Sequence, residues 1–296
     1  MTALKSLTAI NKQIETTQGR ISTGLRVNDA SDNAAYWSIA TTMKSDNKAL
    51  GTVQDALGLG ASKVDVAYTG MASALDVVDE IKSKLVAAKE PSADKAKIQS
   101  EIGELQNQLT SIAESASFNG ENWLSVDSSA ATYSATKSVV ASFSRASDGT
   151  VSVSTIDVDI TTTELFDAND QSGILDSTFT TTGGGAVTVS VSDLDITAAN
   201  IDDTDLDEMI AAVDSAFSSM TDAASTLGSS SKRIDMQSEF VNNLMDAVDR
   251  GVGQLIDANM EEESTRLQAL QTQQQLGIQS LSIANSSAQS ILSLFR

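Results

Sequence analysis

Stepping alternately by four and three residues from Ile39, the chain reads Ile39, Met43, Asp46, Leu50, Val53, Leu57, Gly60, Val64, Ala67, Met71, Ala74, Val78, Ile81, Leu85 and Ala88. Only Asp46 and Gly60 interrupt the stripe. The spacing therefore predicts one helix of about fifty residues, roughly 75 Å long at about 1.5 Å per residue. A helix of that length needs other helices alongside it to cover its apolar face. Pro91 is the single proline in 296 residues, which leaves room for long helices on both sides of it.

Pro91 stops this helix in "KEPSADK", where Ser92 or Asp94 can cap a new one, and the stripe resumes as Ile98, Ile102, Leu105, Leu109, Ile112 and Ala116. So short a connection implies an antiparallel hairpin. Asn119-Gly120 in "SFNGENWL" reads as a turn. From about Ser128 to Asn200 the composition shifts to Ser, Thr, Val, Asp and Gly, and two-residue alternation replaces the heptads. Val139, Ala141 and Phe143 alternate up to an Asp148-Gly149 hairpin turn, and Val151 and Val153 alternate after it. A phase slip before Ile156 marks a bulge or a bend. Val187, Val189 and Val191 follow a Gly183-Gly184-Gly185 turn. This region reads as a small β-rich insert decorating the outside.

Behind the acidic run "DDTDLDE", which suits a helix start, the stripe returns as Leu206, Ile210, Val213, Phe217, Met220, Ala224, Leu227, Ser231, Ile234, Ser238, Val241, Met245, Val248, Val252 and Leu255. It fails only at its two serines. The expected fold class is therefore mainly α: a long antiparallel helical rod or coiled coil built from both chain ends, with the β-rich insert in the middle. In segments, 1–44 pairs with 253–296, 45–127 pairs with 201–252, and 128–200 is the solvent-facing insert.

Function classes narrow by composition. Cysteine and histidine are both absent, which removes disulfides, thiolate metal sites, cysteine nucleophiles and Ser-His-Asp chemistry. A formal charge of −21 repels nucleic acid and anionic membrane surfaces. No run of eighteen apolar residues offers a membrane span, and "MTALKSLTAINKQIE" is too interrupted for a secretory signal. "DANDQSG" at Asp167 to Gly173 departs from a calcium loop in its glycine position and in lacking a closing acidic residue. Carboxylate pairs such as Asp202 and Asp203 read as helix-start and solvating charges. Trp37, beside Tyr36, and Trp123 read as core plugs at the ends of the long helices. No catalytic, cofactor or metal residues are expected.

The two chain ends carry the candidate functional residues. Leu4, Leu7, Asn11, Ile14, Gln18, Ile21 and Leu25 form one polar-interrupted stripe, and Leu267, Leu270, Gln274, Gly277, Leu281, Ala284, Ala288, Ile291 and Phe295 form another. They can pair with each other. Between Arg266 and Arg296 no residue is charged, and a second apolar set, Leu276, Ile278, Ile283, Leu292 and Leu294, lies off the first stripe. One reading is a two-stranded intramolecular coiled coil with surplus exposed leucine. The other is a self-assembly surface covered by neighbouring copies, where uncharged polar residues avoid stacking like charges.

"RISTGLRVNDASDNAAYWSIATTM" and "LIDANMEEESTRLQALQTQQQL…SIANSSAQSILSLFR" resemble bacterial flagellin, most closely the α-proteobacterial type. The resemblance covers both ends of the chain around a variable middle. It implies a filament subunit whose terminal helices pair inside the tube, whose longer helices form the wall, and whose insert faces solvent. It also implies extracellular localisation after unfolded export through a flagellum-specific type III apparatus, without a cleaved signal. Its implied partners are copies of itself, a flagellar cap, hook-filament junction proteins and the export machinery. Family members usually begin several residues before the point matching Met1, so the first helix is expected to be shorter than theirs. A hook-filament junction protein sharing the same ends, and an enzyme displayed in the insert, are the alternatives.

Overall fold

The computed structural model describes residues 2–146 and 148–294, apart from the side chains of 2, 3, 284, 285 and 287–294. Among the described residues it is mainly α, with helices α1 (Thr2–Thr23), α2 (Ala34–Ala88), α3 (Lys95–Ser115), α4 (Asp203–Ile256) and α5 (Met260–Leu294). The strand-rich middle holds β1 (Ser117–Phe118), β2 (Glu121–Asn122), β3 (Ser125–Val126), β4 (Thr136–Arg145), β5 (Val151–Asp159), β6 (Phe166–Asp167), β7 (Phe179–Thr180) and β8 (Thr188–Val189). They form two-stranded sheets: β1–β2, β4–β5 and β7–β8 are antiparallel, and β3–β6 is parallel. The chain divides into two compact units, Leu50–Asn242, and Met1–Ala49 with Asn243–Arg296.

In the first of these units the α2 stripe is buried at every step from Leu50 to Ala88, Gly60 included. Opposite it, Leu206, Val213, Met220, Leu227, Ile234 and Val241 of α4 are buried. Each buried Leu, Ile, Val or Met among them contributes roughly 1.5–3 kcal/mol through its removal from water. Polar ties fix the antiparallel register: Lys89 to Asp207, Lys82 to Asp214, Ser231 Oγ to Asp65 Oδ1 at 2.9 Å and Gln54 Nε2 to Ser238 Oγ at 2.6 Å. The two serines that interrupt the α4 stripe are therefore cross-links to α2. After Pro91, Asp94 caps α3 by accepting from Lys97 N, and α3 buries Ile102, Leu109 and Ala113. Lys84 of α2 holds Glu101 of α3 at 2.8 Å.

The middle region is anchored on these helices. Val139 of β4 lies over Gly60 of α2 so closely that a Cβ there would stand 2.3 Å from Val139 Cγ1. The register shifts between Val140 and Ser142, and the bulged Ala141 offers its carbonyl to Gln237 Nε2 of α4 at 3.0 Å. That bulge faces the phase slip seen before Ile156, on the partner strand. Gln99 of α3 both donates to Leu194 O and accepts from Ile196 N, each at 2.9 Å. Turns fall where glycine permits a left-handed backbone, at Gly120 (φ 80°) and Gly149 (φ 88°).

Gly183-Gly184-Gly185 does more than turn the chain. Gly184 N and Gly185 N donate to Asp202 Oδ2 (2.9 Å) and Asp205 Oδ2 (3.0 Å), and a Cβ on Gly183 would stand 2.5 Å from Asp202 Oδ1. The two aspartates also cap α4 reciprocally: Asp202 Oδ1 accepts from Asp205 N, and Asp205 Oδ2 from Asp202 N. Only a segment without side chains can approach this helix start.

In the other unit, the break between α1 and α2 is tied to the break between α4 and α5. Gly24 takes φ 72°, its carbonyl accepts from Ala258 N at 2.8 Å, and Ile256 O accepts from Arg26 N at 2.6 Å. The Arg26 guanidinium reaches Leu255 O at 2.9 Å, satisfying a carbonyl that the end of α4 leaves open. Val27, Ala40, Val252 and Ile256 form the small core beneath.

Candidate assembly surface

Helix α5 starts behind Asn259, whose Oδ1 accepts from Glu261 N at 3.1 Å, and it packs along α1. Leu270 is buried, and Leu267, Gln274, Gly277 and Leu281 are half-buried. These fall on the first of the two expected stripes. From α1, Leu7, Ile14 and Ile21 are half-buried and Thr17 is buried. Leu7 lies over Gly277, where a Cβ would stand 3.4 Å from Leu7 Cγ. The polar interruptions meet, with Gln274 Nε2 donating to Asn11 Oδ1 at 2.7 Å. Near the α5 start, buried Glu263 accepts from Arg20 at 3.1 Å and Arg266 at 3.4 Å.

The second apolar set of α5 stays uncovered in the single chain: Leu276 is 58% exposed, Ile278 54% and Ile283 66%. Leu4, expected on the α1 stripe, is 60% exposed. The side chains of Ile291, Leu292 and Leu294, and Phe295 as a whole, lie outside the described residues. The described face of α5 thus presents aliphatic side chains among Gln, Ser and Thr, with no charge after Arg266. Exposed apolar surface of this kind marks interaction sites.

Sequence reasoning missed two further apolar surfaces. Tyr36, Trp37 and Ile39 at the start of α2 are exposed, so Trp37 is no core plug, unlike the buried Trp123. They follow a turn in which Ser31 donates from its hydroxyl and its N–H to Asp29 Oδ1, holding that carboxyl below its ordinary range. Met236 and Phe240 of α4 are also exposed. Both lie off the α4 heptad positions, so a search for apolar pairs one turn apart outside the stripe finds them.

The middle region offers little for acid-base or nucleophilic work. Tyr133 donates to Glu164 Oε1 at 2.6 Å, and this bond pushes the phenol up to about 12, leaving it neutral near pH 7. Burial raises Glu164. Asp167 accepts from Ser128 N and Asn169 N, so the calcium-like stretch is an acidic turn whose first carboxylate is taken up by backbone N–H groups, its own and that of Ser128. Among the described residues no group of three or more acidic side chains is arranged to hold a metal, and no helix is long and apolar enough to cross a membrane.

Residues 1–129 match the N-terminal helical region of bacterial flagellin, and residues 210–295 match its C-terminal helical region. The chain is 54% identical to "Flagellin C" of Rhizobium meliloti (strain 1021) over 312 residues, spanning 100% of this chain and 97% of the relative. It is 46% identical to "Flagellin" of Brucella melitensis biotype 1 over 297 residues, spanning 100% and 96%. Both are α-proteobacterial sequences. A crystal structure of Bacillus cereus flagellin is 18% identical, with a TM-score of 0.41 over 66% of this chain and 88% of that one, a likeness too loose to carry an argument. Two terminal matches in the expected order, on either side of an unmatched middle, settle the family: the chain belongs to the bacterial flagellins.

Proposed function

We propose that this chain is a structural subunit that self-assembles into the extracellular bacterial flagellar filament and serves swimming motility, with no enzymatic role. The observation carrying this reading is the α5 face with exposed Leu276, Ile278 and Ile283 and no charge between Arg266 and Arg296. Identical subunits stacked on such a face bury apolar surface without bringing like charges together. The candidate packing residues are Leu4, Leu7, Ile14 and Ile21 of α1 and Leu267, Leu270, Leu276, Ile278, Leu281, Ile283, Ile291, Leu292, Leu294 and Phe295 of the chain end.

Family membership supports the finer parts of the proposal: unfolded export without a cleaved signal, growth under a flagellar cap, and attachment through hook-filament junction proteins. Electron microscopy of the purified protein after addition of short filament seeds tests the central claim. Filaments that lengthen with added protein are expected. Seeds that stay short at every protein concentration would refute the assembly reading.

A further inference from the structure

The β1–β2 hairpin holds the single Asn-Gly pair of the chain. Phe118 pairs with Glu121, so Asn119 and Gly120 are the whole loop, and both take a left-handed backbone, with φ 53° and 80°. This is the tight two-residue turn that Asn-Gly favours. Both residues are exposed, and a Cβ added to Gly120 would meet nothing within 4 Å.

Other asparagine side chains are held. Asn11 accepts from Gln274, Asn33 and Asn259 cap helices α2 and α5, Asn169 donates to Ser128, and Asn122 is bonded through both its amide oxygen and its nitrogen. Among the described residues, neither the Asn119 carboxamide nor the Gly120 N–H makes a hydrogen bond. The comparable acidic pair, Asp148-Gly149, is protected. Asp148 Oδ1 accepts from the Thr150 hydroxyl at 2.7 Å and from Thr150 N at 2.9 Å, which keeps that carboxyl ionised and a poor target for a nitrogen nucleophile.

We infer that Asn119-Gly120 is a self-modification site, at which the chain converts its own asparagine to isoaspartate with water as the co-reactant. Gly120 N attacks Asn119 Cγ, the N–Cγ bond forms, the Cγ–Nδ2 bond breaks, and ammonia leaves with the Gly120 proton. Water then opens the five-membered imide. Cleavage of its bond to Cγ gives aspartate, and cleavage of its bond to the main-chain carbonyl gives isoaspartate. The reacting groups are neighbours in one chain, so closure is unimolecular. It requires the loop to leave its turn, and the strands that close that turn are two residues each, so the opening is local.

The position gives the change a structural effect. Glu121, the next residue, is held by Lys63 of α2 and, at 3.0 Å, by Lys137 of β4. Leu124 sits on Gly70 of α2, where a Cβ would stand 2.7 Å from Leu124 Cδ1. Isoaspartate adds a methylene to the backbone of a two-residue loop whose length fixes the pairing of its strands, and it sets a new carboxylate beside Glu121. The hairpin is expected to loosen where the middle region joins α2.

The inference stands apart from the filament reading, because soluble full-length chain tests it. The protein is held in mildly alkaline buffer, digested with pepsin at acid pH where ring closure is slow, and its asparagines are followed by peptide mass spectrometry. An isoaspartyl methyltransferase label reads the isomer. Asn119 is expected to lose its amide before the other asparagines, and about tenfold or more faster than Asn107 within helix α3, with isoaspartate the larger product. Melting temperature is expected to fall in step with isoaspartate, and by more than in freshly prepared Asn119→Asp, which carries the new charge without the methylene. An Asn119 amide that outlasts the others would overturn the site, and isoaspartate that forms with no fall in melting temperature would overturn the loosening.

Discussion

Val139 of β4 occupies the space that a side chain on Gly60 of α2 would need, with Cγ1 2.3 Å and Cγ2 2.7 Å from the position of the missing Cβ. The glycine that breaks the heptad stripe is thus a socket for the hairpin. Gly60→Ala brings a helix-propensity gain of up to about 1 kcal/mol, but the clash is expected to outweigh it, for a net loss of about 1–3 kcal/mol. Urea melts of Gly60→Ala, Val139→Ala and the double variant decide the matter. The double variant is expected to be more stable than Gly60→Ala alone; additive losses would show that the two sites do not meet.

Two leucines separate folding from assembly. Leu227 of α4 is fully buried and Leu276 of α5 is 58% exposed. Leu227→Asp places an unpaired carboxylate in the core, a cost of several kcal/mol, and is expected to lower the monomer's melting temperature sharply. Leu276→Asp is expected to leave monomer melting by circular dichroism nearly unchanged while abolishing sedimentable filaments. Equal destabilisation by both would place Leu276 in the subunit's own core.

Stability is expected to depend on pH in two opposed ways. The Thr181 hydroxyl, with the N–H groups of Asp202 and Gly185, holds the Asp205 carboxyl down to about 2. A folded value below the unfolded one contributes stability that is present above about pH 4 and is lost as the pH falls through the folded value. Burial raises Glu164 and Asp176, so these two contribute stability that grows as the pH falls from neutral through their raised values. Melting temperature should therefore rise slightly into mild acid and then drop below about pH 4. Asp205→Asn should flatten the drop and Glu164→Gln the rise. Unchanged slopes in both variants would contradict these assignments.

At the root of α5, Glu263→Gln retains the shape of the side chain but removes the charge that Arg20 and Arg266 share. Hydrogen bonds to a charged, buried partner make the expected loss about 2 kcal/mol. Urea unfolding at pH 7 measures it, and a change within experimental error would mean that the arginines find water instead.

The parts legible in the sequence were those with a long period. The α2 stripe is buried from Leu50 to Ala88, the α4 stripe combines buried with half-buried positions from Leu206 to Leu255, and the stop before Pro91 with its Asp94 cap follows from local chemistry. Of the α5 residues, Leu276 and Ile283 stand well away from the stripe through Leu270 and Gln274 by helical angle, whereas Ile278 borders that stripe and is still exposed. Contacts between residues far apart in sequence could not be read this way. Nothing beside Gly60 names Val139, heptad spacing alone gives the serines at 231 and 238 no partner on α2, and Gly183 to Gly185 reads as an ordinary turn because Asp202 and Asp205 lie beyond the next strand. Size alone assigns Trp37 to the core, whereas at the start of α2 it is left exposed.

The pairing of α1 with α5, and the ties of Gly24 and Arg26 to residues 255–258, join segments more than 200 residues apart. Contacts of such high contact order form only after a large loop has closed, and they make folding slow. When the chain is made from its N-terminus, the α1 stripe has no native partner until the last thirty-five residues of helix are complete. Until then the apolar residues of α1 stay open to misassociation, and a helix made long after α1 decides when α1 can come to rest.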